Sequence, residues 1–260
     1  MHKTVYSCLV AAALTSFSSA AIVWQTPKNV TDDSDVSLNG QLERAYTFTG
    51  TRVGETHTIN TVGFVRSNST VVSGTHRFSV TGPSTGLDIG ASDFTAGGAY
   101  AGTTNDYRAI LAAAMRATGG TIGAPSIAND EFYNAFTFTL QGLTVGNSYE
   151  IQVWFSDSRN VTTAYNGFAH LTDGNAGSAP TGPEVDYNVG DVSDGGGLGQ
   201  YVIGTFVATS DEESFTVTTK AAEVNNVALM NAYQLRVIPE PSSLLLIAGG
   251  TLAGMTRRRR

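Results

Sequence analysis

Between residues 135 and 156, apolar and polar side chains alternate with a period of two. Phe136, Phe138 and Leu140 interleave with Thr137 and Thr139. After the turn "GLTVGNS", Tyr149, Ile151, Val153 and Phe155 interleave with Glu150, Gln152 and Trp154. Successive side chains of a strand point to opposite faces, so the pattern predicts a β-hairpin with one apolar row against a core. Similar runs recur along the chain: "IVWQT", "RAYTFTG", "TVGFVR", "HRFSVTG", "NAFTFTLQGL", "SYEIQVWFSDS", "YVIGTFVATS", "ESFTVTTK" and "ALMNAYQLRVI". Short strands separated by Gly, Asn and Asp turns predict an all-β fold, a β-sandwich.

One segment breaks the two-residue period. In "TNDYRAILAAAMRAT", Tyr107, Ile110, Leu111, Ala114 and Met115 fall at helical spacing and form a stripe. Thr104 or Asn105 can cap the start, and Gly119-Gly120 is expected to end the helix. A single short helix covering one edge or end of the sandwich is the prediction.

The two ends follow other rules. Residues 1–20, "MHKTVYSCLVAAALTSFSSA", place a basic start at Lys3 before the apolar run 8–14 and small residues after it. That is the layout of a secretory signal peptide, with cleavage expected after Ala20 or Ala21 by signal peptidase. The only cysteine, Cys8, lies inside it, so the exported chain has no thiol for disulfides, zinc or nucleophilic catalysis. At the other end the chain reads "VIPEPSSLLLIAGGTLAGMTRRRR". Residues 242–256 are free of charge; as a helix they would extend about 22 Å, a marginal span of a hydrocarbon core of roughly 30 Å. Arg257, Arg258, Arg259 and Arg260 would hold the far end on the cytoplasmic side. Pro239 and Pro241, flanking Glu240, oppose regular structure and keep the segment before the span extended.

Pro-Glu-Pro, an apolar helix and a terminal arginine cluster, in that order, resemble the PEP-CTERM sorting signal. The resemblance implies recognition at Pro239, Glu240 and Pro241 by an exosortase-type membrane transpeptidase, which removes the tail. It also implies transient anchoring through 242–256 and delivery to the cell envelope, surface or extracellular matrix. The body resembles the jelly-roll sandwiches that precede such tails, on "SDVSLNG", "LTVGNSYEIQVWFSDSR" and "GQYVIGTFVA…NAYQLRVIPEP". Those sandwiches are similar to galactose-binding-like modules, which makes exopolysaccharide a candidate partner by analogy. The expected organisation is a signal peptide over 1–20, a jelly-roll-like β-sandwich over 21–237 and a sorting signal over 238–260.

Charge narrows the function classes. Lys3 and the four terminal arginines are five of fifteen basic residues, and Glu240 is the sole acid in either end. The body is left with 10 basic and 21 acidic groups, a net charge of −11. Such a body has no electrostatic means of holding nucleic acid.

Catalytic motifs are absent or weak, and no residue is nominated as catalytic. "GPSTG" at 82–86 matches G-x-S-x-G, but "LDIGASDF" does not continue as the helix a nucleophile elbow needs, so Ser84 is read as part of a turn. His57, His76 and His170 are isolated in sequence and share no metal-ligand spacing. No cofactor is required, and calcium is the candidate metal. Asp32, Asp33 and Asp35 in one run, and Asp186, Asp191 and Asp194 with Asn188 in another, offer oxygen ligands on loops; solvated acidic turns are the competing reading. For sugar, the candidate is Trp154, which strand parity places beside Glu150 and Gln152, with Asp157 and Arg159 just beyond. An exposed indole there would stack on a pyranose; the alternative is an indole packed beneath a loop or the helix. A non-enzymatic carbohydrate-binding module, a cation-linked structural protein and a polysaccharide-acting enzyme remain the alternatives.

Overall fold

The apolar rows read from the sequence become strands. The computed structural model describes residues 21–48, 52–67, 77–81, 84–88, 104–117, 132–156, 168–173, 181–187, 189, 199–220 and 228–239. In chain order its elements are β1 (Val23–Trp24), β2 (Lys28–Asn29), β3 (Gln41–Phe48), β4 (Thr56–Ile59), β5 (Val62–Ser67), β6 (Phe78–Thr81), β7 (Ser84–Asp88) and α1 (Asn105–Leu111). There follow β8 (Ala113–Ala117), β9 (Phe132–Gln141), β10 (Ser148–Phe155), β11 (Phe168–Asp173), β12 (Glu184–Asp186), β13 (Gln200–Val207), β14 (Glu212–Lys220), β15 (Leu229–Met230) and β16 (Ala232–Ile238). Every strand-like run named above overlaps one of these.

Eight strands form the frame. β3 pairs with β16, β9 with β14, β10 with β13 and β11 with β12, all antiparallel. First meets last and second meets next-to-last, the wrapping of a jelly roll. β10–β16 and β11–β14 pairing then completes two facing sheets, β3-β16-β10-β13 and β9-β14-β11-β12. The first sheet is widened by β5 and β4 beyond β3 and by β1 and β2 on β13; β6 is added to β9. β15, β8 and β7 form a small third sheet.

This topology corrects the expected hairpin over 135–156. β9 and β10 are consecutive but lie in opposite sheets, so the turn between them crosses the sandwich. Their apolar rows face each other through the core. Phe136, Phe138 and Leu140 from one sheet meet Tyr149, Ile151, Val153 and Phe155 from the other, all buried in one cluster. Aromatic contacts join the layers at its centre: Phe138 lies 4.9 Å from Tyr233 of β16 and 6.0 Å from Phe48 of β3.

The β3-containing sheet is buried on its outer face as well. There Val30 and Val36 from the chain before β3, Phe64 of β5, and Tyr107, Ile110 and Leu111 of α1 cover Trp154, Tyr201 and Ala232. Residues 30–40 therefore run as a strap across the outside of this sheet. The β4–β5 hairpin beside it turns on Asn60 and Thr61, at φ 45° and 68°.

The helix is shorter than its stripe suggested. It ends at Leu111, well before Gly119-Gly120, and Ala114 and Met115 lie on β8. A continuing helix would need its last carbonyls for its own backbone. Here side chains of the first sheet and of the residue before β16 take them. Arg66 Nη2 donates to Ala109 O at 3.1 Å, Thr47 Oγ1 to Ile110 O at 3.1 Å, and Asn231 Nδ2 to Leu111 O at 2.8 Å. The helix docks on the sheet by its C-terminal end, where a guanidinium is favoured by the helix dipole.

Candidate functional site

The polar row predicted to hold sugar is engaged by the chain itself. Glu150 and Gln152 project from β10 on the outer face, as parity required, and both are buried. Ser37 Oγ and Asn39 Nδ2 donate to the two oxygens of the Glu150 carboxylate. Gln152 Oε1 accepts from Ser37 N at 2.9 Å and from Gln234 Nε2 at 2.7 Å, while Gln152 Nε2 donates to Asp35 O at 2.7 Å. Arg236 completes the row by donating to Asn39 O and Gly40 O. Burial holds its guanidinium below the usual value, with Glu150 acting in the opposite direction. Each buried polar group is thus matched, and their partners form the strap.

Trp154 is fully buried, at 0% exposure. Its ring meets Phe64 edge-on at 5.4 Å, and Nε1 donates to Tyr107 Oη at 3.0 Å. Tyr107 Oη in turn donates to Asp35 Oδ2 at 3.1 Å. Burial, then the Asp35 charge, pushes the Tyr107 phenol well above its ordinary value. The stacking-platform reading of Trp154, Glu150 and Gln152 is therefore corrected: this face packs. Asp157 and Arg159 lie outside the described residues.

Asp32, Asp33 and Asp35 form a clasp at the head of the strap. They build a 3-10 turn with a capping box. Asp32 Oδ1 accepts from Ser34 N at 2.8 Å, and Asp35 Oδ2 from Thr31 N at 2.6 Å and Asp32 N at 3.1 Å. Asp33 Oδ1 accepts from Thr104 Oγ1 at 2.9 Å, tying the strap to the start of α1. Among the described residues no three His, Cys, Asp or Glu converge. Asp186 sits on β12, where its backbone N–H donates to Gln200 Oε1; Asn188, Asp191 and Asp194 lie outside the described residues.

Two smaller readings also change. Ser84 opens β7, opposite Ala117 of β8, so it stands on a strand and not in the expected turn. His57, isolated in sequence, has neighbours in space: Arg66 Nε donates to its Nε2 at 2.9 Å, and Asp106 Oδ1 lies 3.3 Å from its Nδ1. Arginine can only donate, so Nδ1 carries the imidazole hydrogen and faces the carboxylate.

An open groove of about 520 Å³ lies where the edges of the two sheets approach each other. One wall is residues 22–27, with β1 paired to β13; the other is residues 181–184, leading into β12. Trp24, half-buried, forms its aromatic surface. The indole lies over Gly204, where a Cβ would come within 2.7 Å of the ring, and its edge meets Phe215 at 5.4 Å. Glycine at 204 leaves the space the ring fills. Gln25, Thr26, Thr181 and Glu184 supply polar groups around it. The Glu184 carboxylate lies 3.4 Å from His170 Nε2. Trp24 lies in too short a run for strand parity to single it out; the signal in the sequence is an aromatic followed by Gln25 and Thr26.

The last strand leads into the tail. β16 ends at Ile238, and Pro239, exposed, follows with no intervening linker. A family model of the PEP-CTERM protein-sorting motif matches residues 237–260. The tail is a PEP-CTERM sorting motif. This chain is accordingly an exported protein sorted to the cell envelope by an exosortase-type system. Pro239 is the described member of the Pro-Glu-Pro motif. Glu240, Pro241, Arg257, Arg258, Arg259, Arg260 and the expected cleavage site at Ala20 lie outside the described residues. Among the described residues no helix is long and apolar enough to cross a membrane. Comparison of the chain with curated proteins and with solved structures gives no match.

Proposed function

We propose that this exported chain is a non-enzymatic carbohydrate-binding component of the cell envelope, which takes a polysaccharide segment in the groove beside Trp24. The half-buried indole lining an open groove carries this reading. An aromatic ring packed against the core and part-exposed to an open groove suits the C–H face of a sugar. Gln25, Thr26, Thr181 and Glu184 line the same groove and are of the residue types that hydrogen-bond sugar hydroxyls. The groove's volume falls in the range of small-ligand sites, and its open form suits a chain passing through it. In this account the tail anchors the chain in the membrane through 242–256 until the exosortase-type enzyme removes it. The test is a pull-down with the host's exopolysaccharide, comparing the protein with Trp24→Ala and Gln25→Ala. Loss of binding in both, with unchanged melting of Gln25→Ala, supports the groove. Undiminished binding in both removes it.

A further inference from the structure

We infer that one end of the sandwich is a membrane-contact surface, formed by the three turns around the exit of β16, and that it rests on the lipid headgroup layer while the tail is attached. The inference depends on the tail reading above, in which 242–256 lies in the bilayer before processing.

The geometry begins with β16. Ile238, its last residue, is in register with Ser148, the first residue of β10, and Ser148 is also in register with Val207, the last of β13. Gly40, preceding β3, approaches so closely that a Cβ there would lie 2.3 Å from Val237 O and 2.9 Å from Ile238 Cδ1. The turn 142–147 joins the same end: Leu143 N donates to Asp211 O at 2.9 Å and Gly146 N to Ala208 O at 2.8 Å. Three turns therefore surround the point where the chain leaves for the sorting motif.

These turns and the strand end beside them carry exposed aliphatic side chains. Leu38 is 51% exposed, Val145 61% and Val207 44%. Isolated apolar residues on a surface are ordinary, but these surround one exit. Among the described residues the other large exposed aliphatics are Val23, on the edge strand β1, and Val53. Val53 belongs to the far end. It precedes Gly54, whose N–H donates to Arg66 O, and Arg66 is level with Thr47, about 20 Å along β3 from Gln41.

Chain length fixes the occupant. Only Pro239, Glu240 and Pro241 separate β16 from the apolar run at 242. Three extended residues reach at most about 11 Å. The headgroup layer beyond the hydrocarbon core is itself roughly 5–7 Å deep. A tail seated in the bilayer therefore holds this end of the sandwich against the membrane surface, where exposed aliphatic groups are favoured. Asp211 and Glu212 are exposed at the same end, so the surface suits zwitterionic lipid better than anionic lipid.

The body contains no cysteine, which makes site-specific probes clean. The full chain with Cys8→Ser, carrying either Val145→Cys or Val53→Cys, is labelled with an environment-sensitive fluorophore and mixed with phosphatidylcholine vesicles bearing a headgroup quencher. Unchanged melting of both labelled proteins establishes folding. The expected result is flotation with the vesicles and several-fold stronger quenching at 145 than at 53, reduced when anionic lipid is added. Flotation with equal quenching at the two sites, or with none, overturns the contact surface and leaves the anchored tail standing. Failure of the full chain to float overturns both. A signal at 145 that follows protein density and ignores the quencher assigns this end to a second copy and also overturns the inference.

Discussion

Trp154, Tyr107 and Asp35 link β10, α1 and the strap through two hydrogen bonds, and breaking that chain should be measurable. Trp154→Ala removes a fully buried indole and should cost about 3–5 kcal/mol. Tyr107→Phe is the sharper perturbation. It keeps the ring and removes one oxygen, leaving Trp154 Nε1 buried without an acceptor, at about 1–3 kcal/mol. Asp35 keeps donors from Thr31 and Asp32 in that variant, so the loss falls mainly on the indole. Trp154→Phe removes the donor together with part of the ring. In the double variant Trp154→Phe/Tyr107→Phe neither orphan exists, so its cost should fall below the sum of the singles by roughly 1–2 kcal/mol. Equilibrium urea melts of the four proteins give the coupling directly. Additive losses would refute the hydrogen-bond chain. A Trp154→Ala cost below about 1 kcal/mol with lost polysaccharide binding would return the indole to the surface and refute the strap as its cover.

Three further outcomes follow from other features. Thr61 holds a left-handed conformation at φ 68° in the β4–β5 turn, so Thr61→Gly should stabilise the protein by about 0.5–1 kcal/mol in the same melts; a loss of stability would contradict the turn. Burial raises the phenols of Tyr107, Tyr201 and Tyr233 above the ordinary value near 10, so the folded state holds their protons more tightly than the unfolded state. Their contribution is intact below pH 10 and is lost as pH rises above it, so melting temperature should fall there, less steeply in Tyr107→Phe; equal slopes would refute the assignment. Asp35→Asn places an amide where Oδ2 accepts from Thr31 N, Asp32 N and Tyr107 Oη, and should cost about 1–3 kcal/mol, whereas a chelator should leave the melt unchanged; a chelator-sensitive melt would restore calcium to the acidic clasp.

Local pattern was readable where one face decides the strand. The parity that set Ile151 and Val153 against Trp154 is the parity of the fold, and the strand runs fall on strands. What lies opposite a face is a long-range property. Trp154, Glu150 and Gln152 looked like an exposed row because the covering residues, 30–40 and 105–111, come from distant parts of the chain. "GLTVGNS" marks a turn, but its sequence does not say whether the chain returns to the same sheet, so the crossing from β9 to β10 was invisible. Ala114 and Met115 fit a helical stripe, yet a short run buried on every side has no period to distinguish helix from strand. The decision was made by Arg66, Thr47 and Asn231, which take the carbonyls of residues 109–111. The sorting motif was legible because its logic is linear: prolines, apolar run and arginines are recognised by their order in the sequence.

The central place of β16 also sets a timetable for folding. Thr47, level with Arg66 on one side, finds its partner on the other only at Ala232, and β10 cannot complete its sheet until Tyr233 and Leu235 are present. A roll whose outermost loop spans nearly the whole domain has high contact order and closes slowly. A chain exported N-terminus first delivers this strand last, just ahead of the sorting motif. β9, β14, β11 and β12 can pair before it arrives, whereas β3 and β10 each lack one neighbour until translocation is almost over. Closure of the roll and delivery of the sorting motif become neighbouring events, and a chain that stops short of Ala232 can accomplish neither.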